Sequence, residues 1–261
     1  MSDLDFLVDI DRRRERHENY ARKHAELGKY SIALGYEHGI VVVAHNARTG
    51  EGIEKVREVH HHIAVVGSGR PHDMEGATEH AILDAGVTEV QYSAQDVLAA
   101  DTAHILGRYA TALFASPEPM GGILLVVGID DSKNMMYRVT YDGEVTPFEN
   151  FASIGGKLSD GGSNWIEDHC RSGYTLRPLK DAISFGVDCL SRAYAEQEHG
   201  SSQAMFKSVL KNGEHIEVVV LDRSIKGANK FAPISTSRLR HEFAPMTHDE
   251  LKAVFAAYAR D

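Results

Sequence analysis

Lys29-Tyr-Ser-Ile-Ala-Leu-Gly-Tyr36 runs into Glu37-His38-Gly39, and that into Ile40-Val-Val-Val-Ala44. Two β-rich runs joined by a short Gly-containing turn read as a hairpin. The segment 9–27 ahead of it is rich in Arg, Glu, Ala and His, holds no Pro or Gly, and meets Gly28. It reads as a helix with Gly28 at its C-terminal stop. The second strand, Ile40 to Val43, is apolar at every position rather than at every other one. A strand of that kind is buried on both faces, between a sheet and a further layer.

Working outward, Val59 to Val66 reads as one strand. His72 to Ala85, closed by Gly86, reads as a helix, and Ala94 to Ala115 as a longer one with Ser93 as cap and Asp96 completing it. Gly122 to Ile129 and Met135 to Tyr141 are strands, with Asp142-Gly143 as a two-residue hairpin turn. One strand from Phe148 to Ile154 then ends in Gly155-Gly156. Helices follow over 157–171 and 176–198, then a strand from His215 to Leu221 and an irregular stretch. Thr247 and Glu250 form a capping box for a final helix over 248–258. The strands come in pairs rather than alternating singly with helices, which disfavours a doubly wound parallel sheet. The fold class expected is α+β: two stacked antiparallel sheets with helices outside, a four-layer αββα sandwich.

The chain has 261 residues and a net charge of −10, from 28 basic and 38 acidic side chains. That balance disfavours a nucleic-acid surface, which needs clustered Lys and Arg. No apolar run approaches the roughly 20 residues that span a bilayer. Met1-Ser-Asp-Leu-Asp5 lacks the basic start and apolar core of a secretory leader. Cys170 and Cys189 form no metal or redox pattern and are expected to be free thiols in a reducing cytoplasm.

The local sequences narrow the fold further. Residues 31–44 resemble the opening hairpin of proteasome subunits. Glu54-Lys-Val-Arg-Glu-Val59 with Ile63-Ala-Val-Val-Gly67 resembles their next block, and Tyr137 to Gly143 with Phe151 to Gly156 the paired strands further on. The resemblance covers residues 9–232 and is carried by the order and spacing of the blocks together. It implies the fold of the N-terminal-nucleophile hydrolases, in which a Thr, Ser or Cys opens the first strand and its own freed amine acts as base. Here Lys29 stands at the nucleophile position, 28 residues precede it, and His45 stands where the acidic partner is expected. Lys55 keeps the family's Lys. The chain therefore resembles the α type, in its actinobacterial form: a non-catalytic subunit in a seven-membered ring.

The resemblance implies partners and site residues as well. The partners would be further copies of the chain, catalytic β subunits, a ring-shaped ATPase and unfolded polypeptide, with no cofactor, no nucleic acid and no membrane. Lys55 would pair with the C-terminal carboxylate of the ATPase, a contact worth about 1.5–3 kcal/mol when partly desolvated. The competing reading is a salt bridge to Glu54 or Glu58. Gly67 or Gly69 would line the same pocket, where a missing Cβ lets a foreign backbone approach. Residues 1–8, with Asp3, Leu4, Asp5, Phe6, Leu7 and Val8, would form a flexible gate over the axial pore ahead of a domain spanning 9–235. Residues 236–261 would be an extension bearing the last helix.

Other features read more plainly. In His60-His61-His62 only His60 and His62 would share a strand face. Two ligands rarely hold a zinc ion, so the run is expected to be solvated, with no metal. The glycine pairs at 155–156 and 161–162 lack the Lys-Ser/Thr of a phosphate loop. Ser201-Ser202 reads as a loop. Two alternatives stay open: an active hydrolase exposed by processing at Ser31 or Thr49, and a homo-oligomeric relative acting without β subunits.

Overall fold

The computed structural model describes residues 3–48, 51–156, 161–211 and 214–234, with backbone alone for residues 3–11, 13 and 161–164. Strands β1 (Ser31–Tyr36) and β2 (Gly39–His45) form the expected hairpin, in register from Tyr36 opposite Gly39 to Ser31 opposite Ala44. Every residue of both strands is buried. Gly39 is required by close approach, because a Cβ there would lie 1.9 Å from the Leu221 carbonyl oxygen.

The hairpin sits at the centre of one five-stranded antiparallel sheet. β8 (Phe151–Ile154) pairs with β1, and β9 (Ile216–Asp222) pairs with β2 and carries β10 (Phe231–Ile234) at the edge. The second sheet runs in the order β3 (Val56–His60), β4 (Ile63–Gly69), β5 (Gly122–Ile129), β6 (Asn134–Val139) and β7 (Val145–Phe148). Ala33, Val42 and Ala44 point into a core shared with Val66, Leu125 and Val127 of the second sheet. Ile32, Leu34, Val41 and Val43 point the other way, against α4 (Gly161–Arg171) and α5 (Leu179–Glu198). On the far side of the second sheet lie α2 (Pro71–Gln91) and α3 (Ala99–Phe114). The result is the four-layer αββα sandwich. The two-sided apolar pattern of β2 is explained, each buried Val or Ile contributing about 1.5–3 kcal/mol.

Several elements differ from the sequence reading. The strand expected over 59–66 is a hairpin, β3 and β4, turning at His61-His62. That over 148–154 is two strands in different sheets: the chain leaves β7 of one sheet and enters β8 of the other at Glu149-Asn150. Gly86 does not end α2, which continues to Gln91 with nothing packed beside that glycine. Ser93 caps no long helix: its hydroxyl donates to Asp96 at 2.6 Å, and a separate 3₁₀ turn covers Ala94–Asp96. The turn at Asp142-Gly143 is a three-residue loop, closed by the Thr140 N–H on the Glu144 carbonyl at 3.0 Å, with Gly143 at φ 93°. α6 (Ser202–Ser208), unexpected from sequence, is capped by the Ser201 hydroxyl accepting from the Ala204 N–H. β10 replaces part of the irregular stretch and holds Pro233 on an edge strand, where a missing N–H is tolerated.

The first helix, α1, spans Asp3–Ala25. It thus begins ahead of residue 9, and the backbone of 3–8 continues it without a break. Its C-terminal half docks on its own chain. Ala21 and Ala25 are buried, and Arg70 links the helix to the loops below by donating to the Tyr20 hydroxyl and, twice, to Asp73, each at 2.8 Å. Asp73 in turn accepts from the Gly121 N–H at 2.7 Å. Cys170 and Cys189 are free and buried between α4 and α5. Thr49 and the extension over 236–261, with its expected helix, lie outside the described residues. Among the described residues no helix is long and apolar enough to cross a membrane.

Candidate functional site

The end of β1 where a nucleophile would stand is closed. Gly28 precedes Lys29 in an unbroken chain, and the Gly28 carbonyl accepts from the Gly156 N–H at 2.9 Å. A Cβ on Gly28 would lie 2.1 Å from the Ser68 hydroxyl, and one on Gly155 2.5 Å from the Lys29 carbonyl oxygen. Three segments therefore converge on the Gly28–Tyr30 backbone: the ends of β4 and β8, and the loop before β3. The Lys29 side chain is exposed. Its carbonyl oxygen faces inward and accepts from Lys55 Nζ at 2.7 Å and from the Ser68 hydroxyl at 3.0 Å.

Lys55 Nζ also donates to the His45 carbonyl at 3.2 Å. Its ammonium thus bridges the start of β1 and the end of β2. The nearest carboxylate influence is Glu217 on β9, and neither Glu54 nor Glu58 pairs with Lys55 among the described residues. Burial holds the Lys55 pKa down to about 7, Glu217 opposing the shift and Lys29 adding to it. An acidic side chain at position 45 would oppose that shift. His45 cannot, because burial and then the charges of Lys55 and Lys29 push its own pKa down to about 3. The imidazole is neutral, 2% exposed, and its Nδ1 lies 2.6 Å from the Tyr194 hydroxyl.

Glu217 is the residue that sequence reading missed. Its carboxylate accepts from the backbone N–H groups of Lys55 and Val56, both at 2.8 Å, and from the Asn46 side-chain amide at 2.6 Å. It fixes the loop that aims Lys55. Only its place on an apolar strand, between Ile216 and Val218, sets it apart in sequence. Ser31 is buried at the first position of β1, paired with Ala44 of β2 on one side and Ile154 of β8 on the other, and its hydroxyl meets no base among the described residues. This is poor geometry for a nucleophile.

The two pocket glycines already have neighbours. A Cβ on Gly67 would lie 2.7 Å from Met74, and one on Gly69, at φ 144°, would lie 2.3 Å from the Gly121 carbonyl oxygen. Their missing side chains admit the chain's own backbone and Met74. A shallow cavity beside Lys55 is lined by Glu54, Val56, Glu217, Phe231 and Ile234, and not by the ammonium itself.

The triple-His run departs from expectation. His60 is 6% exposed rather than solvated. Its Nδ1 lies 3.3 Å from Nδ1 of His62, whose Nε2 lies 3.0 Å from the Val97 carbonyl. Burial, then the two neighbouring imidazoles, lowers the His60 pKa against the pull of Glu89. One ligand-capable atom from each of His60, His61 and Glu89 lies within 4.8 Å of the other two.

Comparison with known proteins agrees with this layout. The protein family described as Proteasome subunit matches residues 25–209. "Proteasome subunit alpha" of Acidothermus cellulolyticus is 26% identical over 92% of this chain and 97% of the relative. That of Kineococcus radiotolerans is 26% identical over 84% and 89%. That of Frankia casuarinae is 28% identical over 66% and 70%.

Proposed function

The chain belongs to the proteasome subunit family, as an α-type subunit, and from that premise we propose that it walls and gates a degradation chamber without cleaving peptide bonds itself. One observation carries this reading: the ammonium of Lys55 is committed to the carbonyls of Lys29 and His45, where an active enzyme needs a free amine and a hydroxyl. Lys29 has no hydroxyl and its backbone nitrogen is bonded to Gly28 rather than free, and a neutral His45 cannot supply the missing carboxylate.

In this reading seven copies form a ring, and two such rings enclose β rings that hold the nucleophiles, in the cytoplasm. Assembly surfaces are in keeping with it. On α2, Leu83, Val87 and Val90 are 69%, 53% and 86% exposed, in a stripe at helical spacing. A stripe of that kind on a folded chain marks an interaction face. Asp3 to Val8, as the first turns of α1, would lie over the pore and move aside to admit unfolded polypeptide. Lys55 has three ammonium protons and uses two within the chain. The third would meet the carboxylate tail of a ring ATPase, with Gly67 and Gly69 shaping the wall beside it.

The test is native mass of the untagged chain, alone and with a β subunit from the same cell. Ring-sized particles carrying both chains support the reading. A monomer that ignores the β subunit overturns it.

A further inference from the structure

The turn between β3 and β4 carries an arrangement of lone pairs that the fold alone does not explain. The Val97 carbonyl can only accept, so His62 Nε2 bears the proton of that 3.0 Å contact. In the neutral ring His62 Nδ1 is then an acceptor, and the 3.3 Å contact requires His60 Nδ1 to donate. The remaining nitrogen of His60, Nε2, therefore presents a lone pair. It is buried, has no partner within hydrogen-bond distance, and faces the Glu89 carboxylate at 3.6 Å. Two electron-rich atoms aimed at one another in a side chain that is 5% exposed repel unless a cation lies between them.

The distance discriminates between cations. A shared proton would draw nitrogen and oxygen to about 2.7–3.2 Å. A tetrahedral metal with bonds of about 2.0–2.2 Å separates its ligands by about 3.4 Å, which is nearer to what is seen. His61 supplies a third donor; its buried Nδ1 makes no hydrogen bond and lies 3.8 Å from a Glu58 carboxylate oxygen. Its backbone is held in place, since its carbonyl accepts from the Lys230 N–H at 2.6 Å. The His60–His62–Val97 relay is the outer support that metal-bound imidazoles ordinarily have, fixing tautomer and ring plane.

We propose that His60, His61 and Glu89 bind a divalent transition-metal ion of the zinc class, through two imidazole nitrogens and one carboxylate oxygen, with a fourth position open to water. The donor set has no thiolate and too few oxygens for calcium or magnesium. The Glu89 side chain is 43% exposed, so the ion reaches the site from solvent. Bound there, it would pin the last turns of α2 to the β3–β4 turn, next to the exposed stripe of Leu83, Val87 and Val90.

The test uses the untagged full-length chain. Equilibrium dialysis against Zn²⁺ with elemental analysis gives stoichiometry and affinity, and the visible absorption of Co²⁺ reports coordination. The expected result is one ion per chain with a tetrahedral Co²⁺ spectrum. Loss of an outer-shell partner typically weakens metal binding about 10–100-fold. Glu89→Gln, at a solvent-facing site that leaves the core intact, should therefore weaken binding at least about tenfold and abolish the Co²⁺ bands. His61→Ala should do the same. Absence of binding by the native chain, or unchanged affinity in Glu89→Gln, overturns the proposal.

Discussion

Two nitrogen groups, on the half-buried Lys55 and the buried His60, lie at opposite ends of β3 and have opposite fates. Two of the three Lys55 ammonium protons are spent within the fold, on the carbonyls of Lys29 and His45. The free nitrogen of His60 faces the Glu89 carboxylate at 3.6 Å. The first arrangement closes a site that related chemistry would leave open, and the second leaves one open that the fold could have closed. Family resemblance alone does not separate them. What separates them is a count of donors and acceptors, because a buried polar group without a partner is costly enough to require a reason.

The comparison breaks most forcefully at the glycines behind Lys55. Gly69→Ala would place a Cβ against the Gly121 carbonyl at a left-handed φ. Strain and backbone displacement together should lower unfolding free energy by about 4 kcal/mol, measurable by urea titration. A loss below about 1 kcal/mol would mean that the β4 end is not packed as described. Glu217→Ala comes next. It strips the backbone N–H groups of Lys55 and Val56 of their acceptor and should cost about 2–3 kcal/mol. Glu217→Gln, retaining one carbonyl oxygen, should recover part of that loss.

A third effect follows from His45. Its folded pKa of about 3 lies below the unfolded value of about 6.5, so the unfolded chain takes up a proton that the native one refuses. The His45 contribution is whole above pH 6.5 and is lost as pH falls toward 3. Between pH 6.5 and 5 that amounts to about 2 kcal/mol. His45→Leu should flatten this part of the stability profile, and an unchanged slope would show that His45 is not the group responsible. Smallest in stability is Lys55→Met, which removes an ammonium and its desolvation together and should change unfolding by about 1 kcal/mol or less. The same substitution should abolish binding of an ATPase tail peptide by fluorescence anisotropy. With native Lys55 that binding should weaken above pH 7, as the ammonium loses its proton. Peptide affinity unmoved by Lys55→Met would detach the pocket from this residue.

How legible these regions were in sequence follows from the range of the interactions. The β1–β2 hairpin could be read because Gly39 punctuates two apolar runs. The β3–β4 hairpin could not, since His61-His62 is no turn signature and the apolar pattern runs through it. The crossing from β7 to β8 leaves no trace in periodicity either, because both strands bury one face against the same interior. Lys55 was identified by its place in a block, but its acceptors are backbone carbonyls, which no side-chain pattern reveals. Glu217 lies 162 residues from the Lys55 N–H that it accepts, and only the pairing of β9 with β2 brings them together. Strand alternation says nothing of what faces His60, because the Glu89 that faces it comes from α2 and the His62–Val97 relay from the following loop.

The central claim is that the closed end of β1 makes this chain a wall rather than a peptidase. The most direct measurement is hydrolysis of a fluorogenic peptide by particles assembled from this chain and a β partner whose N-terminal nucleophile has been replaced by Ala. The intact mass of this chain is recorded in the same sample. The account predicts no hydrolysis above buffer and a mass that still includes the residues ahead of Lys29. Residual hydrolysis, with a chain shortened to begin at or near Ser31, would contradict it.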